Sequence, residues 1–179
     1  MRRAGIAFCV VVAVLAACAK RGFDKPIEKD AFLKDTLIRL TVHDAAVSAD
    51  SVRAVLDRCV LELQSLEGMT TAHVDTSDIS SINRKAGKEP AAVRPETFRL
   101  LEQSLALSKQ MDGAFDVTLG AIKSLWGFDT ENPSIPPDRA IRRLVRFTGS
   151  SQIVLGKGTA FLRSPDTRID LGGDRKSVV

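Results

Sequence analysis

Apolar positions recur with helical spacing along residues 51–66, and this is the clearest element that the sequence predicts. The periodic positions are Val52, Val55, Leu56, Cys59, Val60, Leu63 and Leu66. Asp50 or Ser48 is available as the N-cap, and Gly68 is available as the stop. Because Cys59 lies on the apolar stripe, we expect its thiol to be a small core hydrophobe and not a nucleophile.

Alternation of apolar and polar residues predicts strands in two parts of the chain. Residues 36–42 place Ile38, Leu40 and Val42 on one face, which indicates a strand with a fully apolar side. Later in the chain, the segments QIVLG, TAFLRS and TRIDLGG alternate and are separated by turn residues. They predict a β-meander over residues 152–173.

Helical patterns occupy the region between these strands. Capping residues before Asp78 predict a short turn over 78–83, and Pro95 opens a helix to about Met111 whose apolar residues cover more than one face. Residues 117–126 predict a short helix, and residues 137–147 predict an amphipathic helix ending near Gly149. Helices inserted among mostly antiparallel strands define an α+β domain and not a Rossmann alternation.

The N-terminus has the pattern of an export signal. A basic MRR start is followed by an apolar run that is shorter than the roughly 20 residues of a membrane-spanning helix. The run ends in LAAC, which resembles a bacterial lipobox, so we expect residues 1–17 to be a signal peptide and Cys18 to be lipidated. Residues 18–32 then form a tether, and the domain faces the periplasm from a membrane of the cell envelope. The alternatives are an uncleaved anchor and plain secretion.

Composition and charge exclude several functional classes. The formal charge of +4 falls to +2 without Arg2 and Arg3, which is too weak to indicate nucleic-acid binding. Loss of Cys9 with the signal and lipidation of Cys18 would leave one thiol, so no internal disulfide is expected. The sequence also has no metal-ligand spacing of His or Cys residues and no GxSxG, P-loop or GxGxxG motif.

The stretch DGAFDVTLG at residues 112–120 is the strongest candidate for binding chemistry. Gly113 can adopt a positive φ, and Ala114 leaves space above the backbone. Asp116 adds an acceptor, while Thr118 and Gly120 can present a hydroxyl and a bare N–H to phosphate oxygens. These features fit a flat ligand that lies close to the main chain.

A purely structural interpretation of the same stretch is also open. Asp112 would then be an N-cap, Gly113 a helix C-cap, and Trp126 a core residue. Taken by itself, the stretch favours this interpretation.

The order of four motifs changes that balance. SDISSIN at 77–83, DGAFDVTLG at 112–120, LWGF at 125–128 and DLGG at 170–173 occur in this order. This series resembles the ApbE family, the FAD:protein FMN transferases of the bacterial periplasm. The resemblance covers the N-terminal part of a family member, and we expect residues 33–173 to be that part of an ApbE-like domain.

The resemblance implies transfer of FMN from FAD to a threonine of a target flavoprotein, with release of AMP and a requirement for Mg²⁺. It implies flavin-nucleotide contacts for Ala114, Phe115, Asp116 and Asn83, and Thr118 is added as a binding candidate. It assigns no catalytic residue in this chain. The alternative is a non-catalytic lipoprotein that binds flavin in the periplasm.

Three features depart from the family pattern. Lys34 stands where the family has a flavin-contacting Met, and His73 stands where it has an aromatic residue. Both stay candidate binding residues, with a strand-end lysine and a loop histidine as the alternatives. After Gly173 the sequence leaves the family pattern, so we expect residues 174–179 to be a non-native tail, the metal ligands to lie beyond it, and this fragment to be inactive. A short paralogue is the alternative.

Overall fold

A computed structural model describes residues 23–33, 36–128 and 130–172. Contacts divide the chain into two compact units, residues 1–63 and 64–179. The first unit contains strands β1 (Ile27–Leu33) and β2 (Thr36–Val42), which pair antiparallel with Ile27 opposite Val42. Helix α1 (Ala49–Thr70) begins in this unit. The predicted strand 36–42 is confirmed, whereas β1 lies largely in the stretch that was expected to be a tether.

The hairpin packs against only part of α1. Val52 and Leu56 form the buried cluster with Ile27, and Leu40 and Val42 pack around it. Ser48 is the N-cap, since its Oγ accepts the Ser51 N–H at 3.2 Å. The apolar stripe of α1 is wider than the face that these strands cover.

Two predictions for α1 are wrong. The helix continues through Gly68 and ends at Thr70, because one glycine costs a helix only about 1 kcal/mol relative to alanine. Cys59 is exposed, as is Val55, so the thiol is not a core residue of the described structure.

The second unit contains the remaining elements and confirms the α+β class. Three strands form an antiparallel sheet in the order β3-β5-β4. The elements in chain order are α2 (Asp78–Lys85), β3 (Ala91–Ala92), α3 (Pro95–Gln110), α4 (Gly120–Leu125), α5 (Asp138–Val145), a 3-10 turn (Ser150–Gln152), β4 (Ile153–Gly156) and β5 (Thr159–Leu162).

The core of this unit is built from α2, α3 and the sheet, with Ile79, Ile82, Leu101, Leu162 and Ile169 among its most buried members. All of these side chains are 1% exposed or less. The core therefore includes Ile169, which lies outside the sheet.

Helix α3 is buried on one face only. The prediction of burial on several faces is wrong, because Met111 is exposed and small residues fill the buried positions. The buried face consists of Thr97, Leu101, Ser104 and Ser108. The Ser104 hydroxyl donates to the Leu100 carbonyl at 2.8 Å, so this polar group is satisfied within its own helix.

A buried carboxylate joins α2 to α3. The Ser77 hydroxyl caps α2 by accepting the Ser80 N–H at 2.9 Å. The next residue, Asp78, accepts from the Arg94 N–H at 2.9 Å, from Arg94 Nε at 3.0 Å and from the Thr97 hydroxyl at 2.7 Å. One side chain thus satisfies donors at the start of α3 that have no helical partner of their own.

The third strand of the predicted meander is absent from the described sheet. Its place beside β5 is taken by the two-residue strand β3. Residues 167–172 instead leave the sheet, and Arg168 forms a single parallel bridge with Leu119. This change of partner brings the DLGG motif to the candidate site.

We expect Asp78→Ala to lower the free energy of unfolding by about 3 kcal/mol, since it leaves buried donors of α3 unpaired. Asp75→Ala is the control, because the Asp75 side chain is fully exposed, and it should change stability by less than about 0.5 kcal/mol. Urea unfolding followed by circular dichroism measures both. Equal effects of the two substitutions would contradict the structural role of Asp78.

Candidate functional site

The site is built around residues 168–170, which run parallel to the end of the DGAFDVTLG stretch. The Gly120 N–H donates to the Arg168 carbonyl at 3.0 Å, and the Asp170 N–H donates to the Val117 carbonyl at 2.9 Å. A Cβ on Gly120 would lie 2.9 Å from the Arg168 carbonyl oxygen, so this close approach requires glycine. Two motifs that are far apart in sequence are therefore hydrogen-bonded to each other.

Asn83 binds the opposite edge of the same segment. Its Nδ2 donates to the Ile169 carbonyl at 3.0 Å, and its Oδ1 accepts the Ile169 N–H at 2.8 Å. The side-chain amide thus replaces a neighbouring strand and satisfies both backbone groups of a residue whose side chain is 1% exposed. This pair of bonds joins the last residue of the first motif to the residue that directly precedes the DLGG motif.

A groove of about 360 Å³ lies where α2, α4 and residues 168–170 meet. This volume is at the low end of the range for small-molecule pockets. The charged and titratable side chains that line it are His73, Arg84, Lys123, Arg168, Asp75 and Asp170. The three lysine and arginine cations exceed the two carboxylates by one, so the lining carries a net formal charge of +1, which is compatible with an anionic ligand.

Lys123 and Asp170 form the best-defined ion pair of the groove. Lys123 Nζ lies 2.7 Å from Asp170 Oδ2, and the Gly172 N–H donates to Asp170 Oδ1 at 2.7 Å. Burial raises the pKa of Asp170. The hydrogen bonds from Lys123 and Gly172 and the charges of Lys123 and His73 lower it by a larger amount, so the pKa of Asp170 lies below its usual value. Asp170 is therefore ionised near neutral pH and fixes the lysine ammonium in place.

The structure brings two of the predicted binding residues to this groove. His73 and Asn83 both line it. Lys34 and the predicted lipidation site Cys18 lie outside the described residues. Ala114, Phe115, Asp116 and Thr118 are not among its lining residues.

The DGAF turn ends helix α3. The Gly113 N–H donates to the Ser108 carbonyl at 2.8 Å, and the residues at 112 and 113 have φ angles of 49° and 81°. This geometry is that of a Schellman cap with Asp112 in the left-handed position. The expected positive φ of Gly113 and its place at the helix C-terminus are confirmed, whereas Asp112 is not an N-cap. Ala114 is exposed and Phe115 packs against the core.

Asp116 and Thr118 hold the loop together. Asp116 Oδ1 accepts from the Thr118 N–H at 2.8 Å and from its hydroxyl at 2.6 Å. The Gly149 N–H donates to Asp116 Oδ2 at 2.9 Å and to Thr118 Oγ1 at 2.7 Å. Thr118 is fully buried and the Gly120 N–H is bonded to Arg168, so the expectation that these two groups face a phosphate is not met.

Trp126 is only partly a core residue. It is half-buried, and its ring stacks on Phe128 with a centroid distance of 5.8 Å and an interplanar angle of 4°. Gly127 lies between the two aromatic residues in sequence and has a φ of 61°, and Phe128 is 64% exposed. The interpretation of the tryptophan as simple core is therefore wrong, since half of this aromatic pair faces solvent.

Sequence reasoning missed several residues of the site. The Lys123–Asp170 pair could have been suspected, since Asp170 interrupts an apolar segment and Lys123 follows Gly120 by one helical turn. Arg84 gave no distinct signal because it lies in the last turn of α2, and basic residues are common at helix C-termini. The partnership of Asp116 with Gly149 carries no sequence signal, because the two residues are 33 positions apart.

The described residues contain no cluster of three or more metal-ligating side chains. Mg²⁺ requires oxygen ligands in nearly octahedral geometry, usually with carboxylates among them. Within residues 23–33, 36–128 and 130–172, no group of three or more His, Cys, Asp or Glu side chains could hold a metal ion.

In the same ranges, no helix is long and apolar enough to cross a bilayer.

Comparison with known proteins identifies the family. The sequence model of the ApbE family matches residues 35–179. An FAD:protein FMN transferase of Klebsiella pneumoniae is 27% identical over 145 residues, which are 80% of this chain and 43% of the relative. One of Vibrio cholerae is 26% identical over 168 residues, which are 90% of this chain and 49% of the relative. The chain belongs to the ApbE family.

Solved structures agree with the fold. The crystal structure of the ApbE protein of Thermotoga maritima superimposes with a TM-score of 0.75 at 24% identity, over 83% of this chain and 48% of that protein. The flavin transferase ApbE of Vibrio cholerae gives a TM-score of 0.67 at 22% identity. This chain spans about half the length of the curated relatives it matches.

We expect Lys123→Met to lower the free energy of unfolding by about 1 kcal/mol at pH 7, since the partly exposed ion pair is lost. The pKa of Asp170 is lower in the folded chain than in the unfolded chain. The contribution of the pair is therefore full above the unfolded value, near pH 4, and is lost as the pH falls through the lower folded value.

Urea unfolding of both proteins at pH 7 and at successively lower pH values measures this difference. Lys88→Met is the control, because Lys88 is exposed, and it should have no effect at any pH. A Lys123→Met effect that is as large at the lowest pH at which the protein remains folded as it is at pH 7 would contradict the role of the ion pair.

Proposed function

We propose that the protein transfers FMN from FAD to a threonine of a target flavoprotein and releases AMP. The observation that carries the proposal is the convergence of three family motifs on one cationic groove, through the bonds of Asn83 and Gly120 to residues 168–170. The names of the family's curated members support it. The cations of the groove suit a dinucleotide whose charge is concentrated on its pyrophosphate.

The proposed reaction is a phosphoryl-type transfer. The threonine hydroxyl oxygen forms a bond to the phosphorus on the FMN side, and the bond from that phosphorus to the bridging oxygen breaks. The bridging oxygen leaves with AMP, which takes up the equivalent of the hydroxyl proton. Little covalent chemistry is needed from protein groups, so positioning and charge stabilisation provide most of the rate.

The chain's own residues would bind and orient the dinucleotide. Lys123, held by Asp170, offers a fixed ammonium, and Arg84 is held at the groove by a 2.8 Å bond to the Asp75 carbonyl. His73 lies beside them and can contact a flavin or adenine edge. In this proposal Asn83 and Asp116 are positioning residues, because their polar atoms hold backbone segments that border the groove or support it.

Magnesium is part of the proposal through the family resemblance. The ion would neutralise the pyrophosphate. Among the described residues, no group of three or more His, Cys, Asp or Glu side chains could hold the ion, and the roles proposed for them here concern the organic and phosphate groups of FAD.

We expect the chain to bind FAD, and Lys123→Met to raise the dissociation constant at least about tenfold, since a charge-assisted hydrogen bond is lost. Lys157→Met in the exposed turn between β4 and β5 is the matched control and should change the constant less than twofold. Titration of FAD fluorescence measures both. Equal dissociation constants in the two variants would contradict the claim that FAD binds in this groove.

Transfer itself is tested by incubating the full-length protein with FAD, Mg²⁺ and an acceptor flavoprotein, followed by intact mass measurement. The proposal predicts a gain of one FMN less one water, lost when the acceptor threonine is replaced by valine. Binding of FAD without mass gain on several acceptors would instead support the non-catalytic flavin-binding protein.

We also propose that the protein is anchored to a membrane of the cell envelope through Cys18, with its domain in the periplasm. The basic start, the short apolar run and LAAC support this location. A diacylglyceryl cysteine carries two acyl chains, which is enough for stable anchoring.

We expect a palmitate analogue to label the protein in bacterial cells, and Cys18→Ser to abolish the label. Cys9→Ser is the control, since this thiol lies within the proposed signal peptide, and it should leave labelling unchanged. Labelling that survives Cys18→Ser would overturn the anchor.

A further inference from the structure

Helix α5 carries a basic face that the proposed transferase site does not use. At 100° per residue, the three arginines of α5 and its C-cap residue Arg146 fall on one arc of about 100°. These residues are Arg139, Arg142, Arg143 and Arg146, and all four are exposed. Ile141 and Leu144, which are half-buried, lie on the opposite side of the helix. The basic face is therefore the solvent-exposed side of α5, and the partly buried side of the helix carries Ile141 and Leu144.

Acidic neighbours neutralise this face only in part. Arg142 lies 3.5 Å from Asp138, and Arg143 lies 3.8 Å from Asp166, both long distances between exposed groups. Among the residues that the structure describes, Arg139 and Arg146 have no carboxylate within 4.0 Å. Such exposed pairs contribute little to stability, so these arginines are available to an outside anion.

Exposed apolar side chains occur on α5 and in the loop that precedes it. Val145 is 53% exposed and lies on α5 about 60° beyond one edge of the arginine arc. The loop that leads from α4 into α5 carries Phe128, which is 64% exposed, and Ile135, which is 86% exposed. A combination of arginines with isolated exposed apolar side chains is typical of surfaces that rest on the headgroup region of a bilayer.

We propose that the basic face of α5 docks on an anionic phospholipid surface. Clustered arginines match the negative potential of such a surface, and the exposed Val145 is carried by the same helix. The predicted lipid on Cys18 would hold the domain within reach of that surface. The attraction does not depend on FAD or on transfer, and it orients the domain on the membrane.

The test uses the full chain carrying Cys18→Ser, so that no acyl chain contributes. Co-sedimentation compares vesicles of phosphatidylglycerol and phosphatidylethanolamine with vesicles of phosphatidylcholine alone. We expect preferential binding to the anionic vesicles, and we expect the preference to be lost in 0.5 M salt because the charges are screened.

Arg139→Gln/Arg146→Gln should lower the partition coefficient for anionic vesicles about 10- to 30-fold. The matched control is Arg53→Gln/Arg99→Gln, which removes the same charge from exposed positions on α1 and α3, and it should change the coefficient less than twofold. Equal losses in the two double variants would overturn the proposal, as would equal binding to both kinds of vesicle. Binding to polyglutamate without binding to anionic vesicles would also overturn it and assign the face to an acidic protein.

Discussion

The groove depends on the two hydrogen bonds between the Asn83 amide and the backbone of Ile169. Residues 168–170 leave the sheet and have no neighbouring strand on this side, so their polar groups need another partner. An amide offers one donor and one acceptor in the plane that a strand would use. An aspartate of the same size would lack the donor and would place a charge against the Ile169 carbonyl. The Asn83 amide therefore holds one edge of residues 168–170, while Gly120 and Val117 hold the other.

Two carboxylates that look available for ligand binding serve the backbone instead. Asp78 accepts three bonds from Arg94 and Thr97, and Asp116 is occupied by Thr118 and Gly149. An acid held in this way contributes little negative potential elsewhere, because its donors neutralise it locally. Neither Asp78 nor Asp116 lines the groove, whose net formal charge of +1 is compatible with the anionic dinucleotide that the family's members are named for.

The elements that sequence predicted correctly are those whose signals are local. The N-cap at Ser77, the proline at the start of α3 and the alternation in β2 each act within a few residues. The predictions that were wrong depend on remote partners. The prediction of a third meander strand was wrong because Asn83 and Gly120 bind residues 168–170. The prediction that Thr118 contacts a phosphate was wrong because its hydroxyl is bonded to Gly149, which is 31 residues away in sequence. Burial of Cys59 failed because the hairpin covers only one part of a broad apolar stripe.

The separation of these contacts also sets an order of assembly. Asp78 joins residues 16 and 19 positions away, whereas Asn83 closes a loop of 86 residues. Loop-closure entropy makes the longer contact about 1.5 kcal/mol more costly to form than the shorter one. The α2–α3 corner can therefore form while the chain is still emerging, and the groove can form only after residue 169 has been synthesised. In a nascent chain the binding groove would be among the last parts of this unit to appear.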